Sequence, residues 1–507
     1  MRYRILTYIK DRIKNISVLE FGVLFIAVAV FNVILMCYAN GISGNDFWWH
    51  VKVGEWIVEN GKVPTTDIFS WYGVKQQLPW TAHEWLADVI YYEILQWFGQ
   101  KGVFVFVLMA ALGMAGVILW QVRKTLQNNL LIGGVFLIGL SIVLYLFFYG
   151  RPHMFSFFLL FFELKILYEF WEKPDSKKIF FLPIIGCLWS NLHGGSSNLA
   201  YILCFVFVIV GLLKFDFGRI RAERLEKNAI LKLFGVGVLT ILSLLINPVG
   251  MQVLTFPYIS VGDELMMSTI SEWQAPDAKD LGALIFYFFP IVLMTIGIVA
   301  KECKIRFVDI VVMGMFLYLF FRSSRFIMLW YIAACFYAFR YLPKCNVKEL
   351  TKMSEKLILY ITLFIFMVSA GFAISDISKL EEGEYISTVM SEEAIGFVKQ
   401  NQTERMFNDY NLGEALIYND IPVFFDARAD MYLQENIYAD GLGLTYLSAP
   451  SSDSREYMGV DGIIEKYQFD SFLILKSRAL YTYLQTQTDK VKCIYEDESL
   501  AYFIMAE

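Results

Sequence analysis

Of 507 residues, 57% are hydrophobic and only 18% charged, whereas soluble domains run at roughly 45–50% apolar and about 25% charged, so most of this chain belongs in lipid. The formal charge of −6 averages basic loops and an acidic last quarter, and implies no nucleic-acid partner. The seven cysteines exclude a disulfide framework and a zinc motif: Cys37, Cys187, Cys204 and Cys335 sit in apolar runs, Cys303 and Cys345 in basic loops, and Cys493 alone near the end.

The first apolar run, Phe21 to Tyr38, follows a basic leader. It exceeds the ~7–15-residue core of a signal peptide and no A-x-A-like site follows, so an uncleaved first span is expected. Further apolar runs lie at 103–121, 130–149, 154–171, 179–192, 196–213, 229–247, 282–300, 307–321, 326–342 and 357–374. Most approach the ~17–25 residues that span hydrocarbon, and 179–192 is short. Basic residues then alternate: Arg2 to Lys14, Arg123/Lys124, Lys173/Lys177/Lys178, Lys214 to Lys227, Lys301 to Arg306 and Arg340 to Lys356. The positive-inside rule puts these loops and the N-terminus in the cytoplasm. The expected architecture is a polytopic α-helical membrane domain of about eleven transmembrane helices over 1–375, with an extracytoplasmic α/β domain over 385–507.

The first outer loop, 39–102, carries two amphipathic patterns, Asp46–Glu59 and Ala82–Phe98, around a turn-rich stretch from Gly61 to Asp67. Its tryptophans and tyrosines suit helices in the headgroup layer. After the last span, helical patterns at Glu392–Gln400, Gly413–Tyr418, Asp461–Tyr467 and Leu480–Thr486 alternate with β-rich runs. Those runs, Met406–Asn408, Val423–Asp426, Ser471–Leu475, Lys492–Tyr495 and Ala501–Met505, predict a largely parallel sheet.

With this topology nearly every unusual polar residue of the membrane half falls on the outer side, including all four histidines, His50, His83, His153 and His193. Ionisable groups in a bilayer cost roughly 2.5–3.5 kcal/mol each, so their convergence at one level suggests a site at the outer interface. Asp46 reads either as the N-cap of a helix carrying His50 or as a general base for an acceptor hydroxyl; His83-Glu84 is a second acid/base candidate. Arg151, Arg322 and Arg325 run against the charge bias. They suit bidentate binding of a lipid-linked phosphate, or pairing with headgroups or with Asp263, Glu264 or Glu272. Asn191 and His193-Gly194-Gly195 form a polar helix end where glycines allow close approach. Asn408-Asp409-Tyr410 and Asp426-x-Arg428-x-Asp430 follow strands, where ligands bind in open α/β sheets, or else fix the domain against the outer loops.

Asp46-Phe47-Trp48-Trp49-His50, the loop from Gly61 through Asp67 and Ser70 to His83-Glu84-Trp85-Leu86, Arg151-Pro152-His153, Asn191/His193/Gly194 and Asn247-Pro248-x-Gly250 carry a resemblance. Together with Asn408-Asp409-Tyr410-x-x-Gly413 and Phe425-Asp426-x-Arg428-x-Asp430, they resemble bacterial membrane proteins described as GT-C-like glycosyltransferases, distantly similar to protein O-mannosyltransferases. The resemblance implies a bacterial cytoplasmic-membrane enzyme using a polyprenyl-phosphate-linked sugar, with membrane lipid around it and a glycan, lipid or protein acceptor. The resemblance matches Asp46 to the first-loop acidic residue of GT-C enzymes; with the residue reading above, Asp46, His83 and Glu84 are expected to be catalytic, Arg151, Arg322, Arg325 and His193 to hold the donor phosphate, and His50, His153 and Asn191 to line the site. Asp46 has Asn45 and Phe47 beside it in place of a second acid, a poor divalent-cation site, so no metal or cofactor is indicated. The rivals are a flippase for lipid-linked saccharide and a non-catalytic envelope-assembly protein.

Overall fold

The computed structural model describes residues 46–126, 149–277, 303–341, 390–449 and 457–506, with scattered residues between 279 and 299. The expected spans at 20–38 and 357–374, and 130–149 apart from its last residue, lie outside them.

Helix α1, Phe47–Asn60, fills the first amphipathic pattern of the long loop. The second pattern and the expected span at 103–121 form one run, α2, Trp85–Leu126, bent at Gly99, whose φ of 63° only glycine adopts without strain. Trp97 and Phe98 are exposed at that bend. Next come α3, His153–Glu172, α4, Leu182–Leu192, α5, Leu199–Gly211, and α6, Lys227–Leu244. The helices α7, Phe307–Arg322, and α8, Ile327–Tyr341, close the described helical bundle. Among the described residues three stretches are long and apolar enough to cross a membrane: Trp85–Ile118, Gly194–Gly211 and Lys227–Leu244. The expected number of about eleven is not reached among them. The short run at 179–192 divides into a 3-10 turn and the 11-residue α4.

Two of the basic loops together hold a small sheet. Strands β1, Phe215–Phe217, and β2, Ile220–Ala222, pair antiparallel, and β3, Ile305–Arg306, joins β2 in parallel.

In the C-terminal part, β4, Met406–Asn408, is followed by α9, Gly413–Tyr418, then by β5, Ser471–Leu475, β6, Val491–Glu496, and β7, Leu500–Met505. The strand order is β4-β5-β7-β6. Only β4 and β5 run parallel, and β7 is antiparallel to both its neighbours, so the largely parallel sheet is corrected to a mixed one. A long crossover with several helices joins β4 to β5, but β6 and β7 are a hairpin whose short link forces antiparallel pairing.

The expected strand Val423–Asp426 does not form. Asn408 takes over its backbone groups, accepting from Phe424 N at 2.7 Å and donating to the Phe425 carbonyl at 2.9 Å. Val423 instead bridges to Ser70 in the long loop, with Trp71 N donating to its carbonyl at 2.9 Å.

Two apolar cores result, and α1 stands between them. Phe47, Trp48 and Val51 pack with the helical bundle, while Trp49, Val53 and Ile57 on its other face pack with the C-terminal part. The helix period of 3.6 divides its apolar residues between two partners, so α1 is clamped rather than laid against lipid with one face polar.

Candidate active site

A cavity of about 560 Å³ opens where the starts of α1, α2 and α3, the segment after α4, the turn before α8 and the loops around α9 meet. All four histidines line it, with Asp46, Glu84, Arg151 and Arg325. Arg322 is exposed and is not among the lining residues, so the expected three-arginine clamp is corrected to two. The turn Ser323-Ser324-Arg325 is held by Ser323 and Ser324 bonding to the backbone of Glu272 and Gln274, which aims Arg325 inward and leaves Arg322 on the last turn of α7. Asn191 also lies outside the lining. It accepts from Trp85 Nε1 at 2.8 Å and donates to the Cys187 and Ile246 carbonyls at 2.7 and 2.8 Å, so it ties α4 to the start of α2.

Asp46 occupies the N-cap position of α1, but its backbone is already helical and its side chain makes no cap bond. Its carboxylate instead meets Arg151 Nε at 3.0 Å. Glu272 takes the Nη1 of the same guanidinium at 3.1 Å to each oxygen, and the guanidinium lies over the Tyr149 ring. Arg151 is therefore shared by two carboxylates, which answers its charge without a phosphate. Burial raises the Asp46 carboxyl, with Arg151 pulling the other way. For Glu272, burial is outweighed by Arg151 and Arg325, which hold it below the ordinary range.

This geometry also tests a divalent cation. Asp46 and Glu272 converge as two ligands would, but the space between them is filled by a guanidinium. Among the described residues no three His, Cys, Asp or Glu side chains share metal-ligand spacing.

Arg325 differs from Arg151. It rests over the Trp273 ring, 4.9 Å from its centroid, and its side chain makes no ion pair or hydrogen bond with another described residue. A guanidinium that faces a cavity without a hydrogen-bonded carboxylate is matched to an incoming anion.

His83 and Glu84 open α2. The close approach of the Gly194 backbone fixes them: its N–H donates to the His83 carbonyl at 3.0 Å, and a Cβ there would meet His83 at 2.9 Å. His83 lies against the Phe256 ring. Glu84 is 8% exposed, has no guanidinium partner among the described residues, and is pushed up to about 7 chiefly by burial. His50, His83 and His193 are pushed down, again chiefly by burial, and stay neutral near pH 7.

The C-terminal part supplies one side of the cavity, including Tyr410, Asn411, Glu414, Arg428 and Asp430. Arg428 is a lock: Nη1 meets Asp67 Oδ1 at 2.8 Å, Nη2 meets Asp426 Oδ2 at 2.6 Å, and Tyr432 OH donates to the same Asp426 oxygen at 2.5 Å. The guanidinium lies over the Phe69 and Trp80 rings. Asp67 and Arg428 thus join the long loop to the C-terminal part, the loop-fixing alternative for this motif. Asp430 makes no such side-chain bond among the described residues and is pushed up to about 6 by burial, with His83 opposing. Glu414 is 4% exposed, and its Oε2 has no hydrogen-bond partner among the described residues.

Sequence reasoning missed Asp88, Ser156 and Glu414. Glu84 and Asp88 stand at i and i+4 of one helical face, a signal that was present in the sequence; nothing in the local pattern marks Ser156 or Glu414.

No family model matches this chain, and no curated protein matches its sequence. Among solved structures it is similar to the oligosaccharyltransferase AglB of Archaeoglobus fulgidus in complex with an inhibitory peptide and a dolichol-phosphate. The TM-score is 0.51 at 10% identity, covering 90% of this chain and 69% of that one. This chain shares the fold of that structure. The apo form of the Archaeoglobus fulgidus oligosaccharyltransferase aligns over the same shares, 90% and 69%, at 11% identity with a TM-score of 0.47.

Proposed function

We propose that this protein is a membrane glycosyltransferase that moves a sugar from a polyprenyl-phosphate-linked donor to a glycan, lipid or protein acceptor. The observation that carries the reading is one cavity holding a guanidinium with no acid partner, Arg325, and a carboxyl group poised near neutrality, Glu84. A phosphate is the ligand best matched to the first, and a base working near pH 7 to the second. The GT-C fold supports the reading by analogy, since the AglB structure with that fold contains a dolichol-phosphate.

The reaction is a single inverting displacement. The acceptor oxygen bonds to the anomeric carbon as the bond from that carbon to the phosphate oxygen breaks. The leaving phosphate keeps the electron pair and is met by Arg325; the acceptor proton goes to Glu84. Asp46, expected as the base, is engaged by Arg151, so its role becomes holding that guanidinium in the wall together with Glu272. His193 and His83 act on Glu84 rather than on phosphate. Around this site we keep the expected topology: about eleven spans, the N-terminus inside, and residues 385–507 outside a bacterial cytoplasmic membrane.

The flippase rival draws on Glu163, which the sequence reading passed over. It lies in α3, 1% exposed, and neither carboxyl oxygen meets a donor among the described residues. Ionisable groups inside a helical bundle commonly mark transport paths. The experiment incubates purified protein with a panel of short-chain polyprenyl-phosphate-linked sugars and cell-envelope glycans, and measures released polyprenyl phosphate. Release abolished by Glu84→Gln supports transfer. Saturable donor binding without release, with donor crossing proteoliposomes in a Glu163-dependent manner, would establish the flippase instead.

A further inference from the structure

Glu84 sits within a ring of imidazoles that sugar transfer alone does not require. His193 Nε2 lies 3.3 Å from Glu84 Oε1, His83 Nε2 lies 3.8 Å from the same oxygen, and His50 Nε2 lies 3.7 Å from Oε2. The other nitrogen of each ring is engaged. His50 Nδ1 is 2.6 Å from Asp88 Oδ1, His83 Nδ1 is 3.0 Å from the Thr81 carbonyl, and His193 Nδ1 is 2.6 Å from Ser156 Oγ.

These partners fix where the protons sit. A carbonyl only accepts, so His83 carries hydrogen on Nδ1 and turns its Nε2 lone pair toward Glu84; the His50 hydrogen sits on Nδ1 opposite an ionised Asp88 and on Nε2 opposite a protonated one. On the third ring, His193 Nδ1 faces two hydroxyls, Ser156 Oγ at 2.6 Å and Ser196 Oγ at 2.9 Å, and Trp189 Nε1 reaches both at 2.7 and 3.0 Å, so a serine hydrogen is available for His193 Nδ1. His193 then presents N–H at Nε2, at the shortest of the three distances. An ionised Glu84 therefore has the His193 donor and the opposed His83 lone pair around it, an arrangement that draws in one more proton.

We propose that Glu84 and the Nε2 atoms of His50, His83 and His193 form a proton-holding ring that receives the acceptor's proton, with Asp88 and Ser156 as positioning residues. The source of that proton rests on the glycosyltransferase reading; the ring itself does not. As the acceptor oxygen bonds to the sugar its O–H bond breaks, and the proton becomes the O–H of Glu84. Bulk water takes it when the product leaves the cavity.

The position of Glu84 near neutrality and the lowered histidines fit such sharing. Other charges facing Glu84 oppose one another: Arg325 and Arg151 favour its ionised form and Asp46 its neutral form. Asp430 faces His83 from the C-terminal side.

The test is an infrared pH titration of the detergent-purified full chain. It follows the carboxylic C=O band assigned to Glu84 by its loss in Glu84→Gln. The wild-type midpoint is expected at about 7. In Asp88→Asn the new amide can donate to His50 Nδ1, which moves the ring hydrogen to Nε2 and stabilises the carboxylate. In His193→Gln the amide keeps a donor but loses the coupling to Ser156. Asp88→Asn should therefore lower the midpoint by roughly tenfold in proton affinity, His193→Gln should shift it less, and Arg322→Ala should leave it in place. A midpoint unmoved in folded Asp88→Asn and His193→Gln would overturn the ring. A band lost on adding zinc and regained on chelation would also overturn it, by showing a cation site. No sugar transfer is read, so this result stands apart from that of the transfer assay.

Discussion

Arg428 and Arg325 line the same cavity and are held in opposite ways. Arg428 is 2% exposed, forked onto Asp426 and Asp67, and lies over two aromatic rings. Arg325 is half-buried on Trp273 and meets no acid among the described residues. The same side chain is a rivet in one place and an open socket in the other, and what separates them is whether carboxylates arrive from neighbouring elements. Arg151, shared by Asp46 and Glu272, belongs with the rivets. Charge in a cavity therefore points to a ligand only after its internal partners have been subtracted.

The unpaired groups should carry the largest effects on activity. Glu84→Gln is expected to lower turnover by about 10²–10⁴-fold, the usual cost of losing a general base, with little change in thermal unfolding. Asp46→Asn, which removes an acid from a rivet, should lose less in turnover and more in stability than Glu84→Gln. The opposite order would return the base to Asp46.

On the paired side, Arg428→Ala strands two buried carboxylates and should cost about 3–5 kcal/mol, measured by thermal or denaturant unfolding. Equal stability would show that the lock is not holding the long loop to the C-terminal part.

pH separates the two kinds of group further. Glu84 is pushed up to about 7 from an ordinary 4.5, so as a base it becomes active as pH rises through 7. Its effect on stability has the other sign. The folded protein holds this proton more tightly than the unfolded chain, so the contribution is full below 4.5 and is lost as pH rises through about 7. Activity and unfolding temperature should therefore move in opposite directions across this window, and Glu84→Gln should flatten both.

Much of the local structure was legible in the sequence. Strands Met406–Asn408 and Ser471–Leu475 and helices Glu392–Gln400 and Gly413–Tyr418 form with the expected bounds, because alternation and capping are local. Val423–Asp426 reads as a strand by composition and is not one, since Asn408 claims its backbone groups from a distance in sequence. The site was legible by residue type: the four histidines and Glu84 stood out as polar groups at one level. Pairing was not, because the ion pairs of Arg151 link positions over a hundred residues apart, and only the fold says which acid reaches which base. Arg322 and Arg325 have the same sequence credentials, and a turn of a few residues sends one out of the cavity.

Smaller effects sharpen that last contrast. Arg325→Lys keeps the charge and loses the planar fork, so donor KM should rise by roughly tenfold, about 1.4 kcal/mol, at unchanged stability. Arg322→Ala should change donor KM and stability by no more than about 0.5 kcal/mol, as for an exposed side chain.

The central claim is that Arg325 is the socket for a lipid-linked phosphate, and binding tests it without any need to know the sugar or the acceptor. Titration of the detergent-purified chain with a short-chain polyprenyl phosphate should give saturable binding that is weakened at least tenfold in Arg325→Ala and preserved in Arg322→Ala. Equal affinity in wild type and Arg325→Ala, with both proteins folded, would contradict the account.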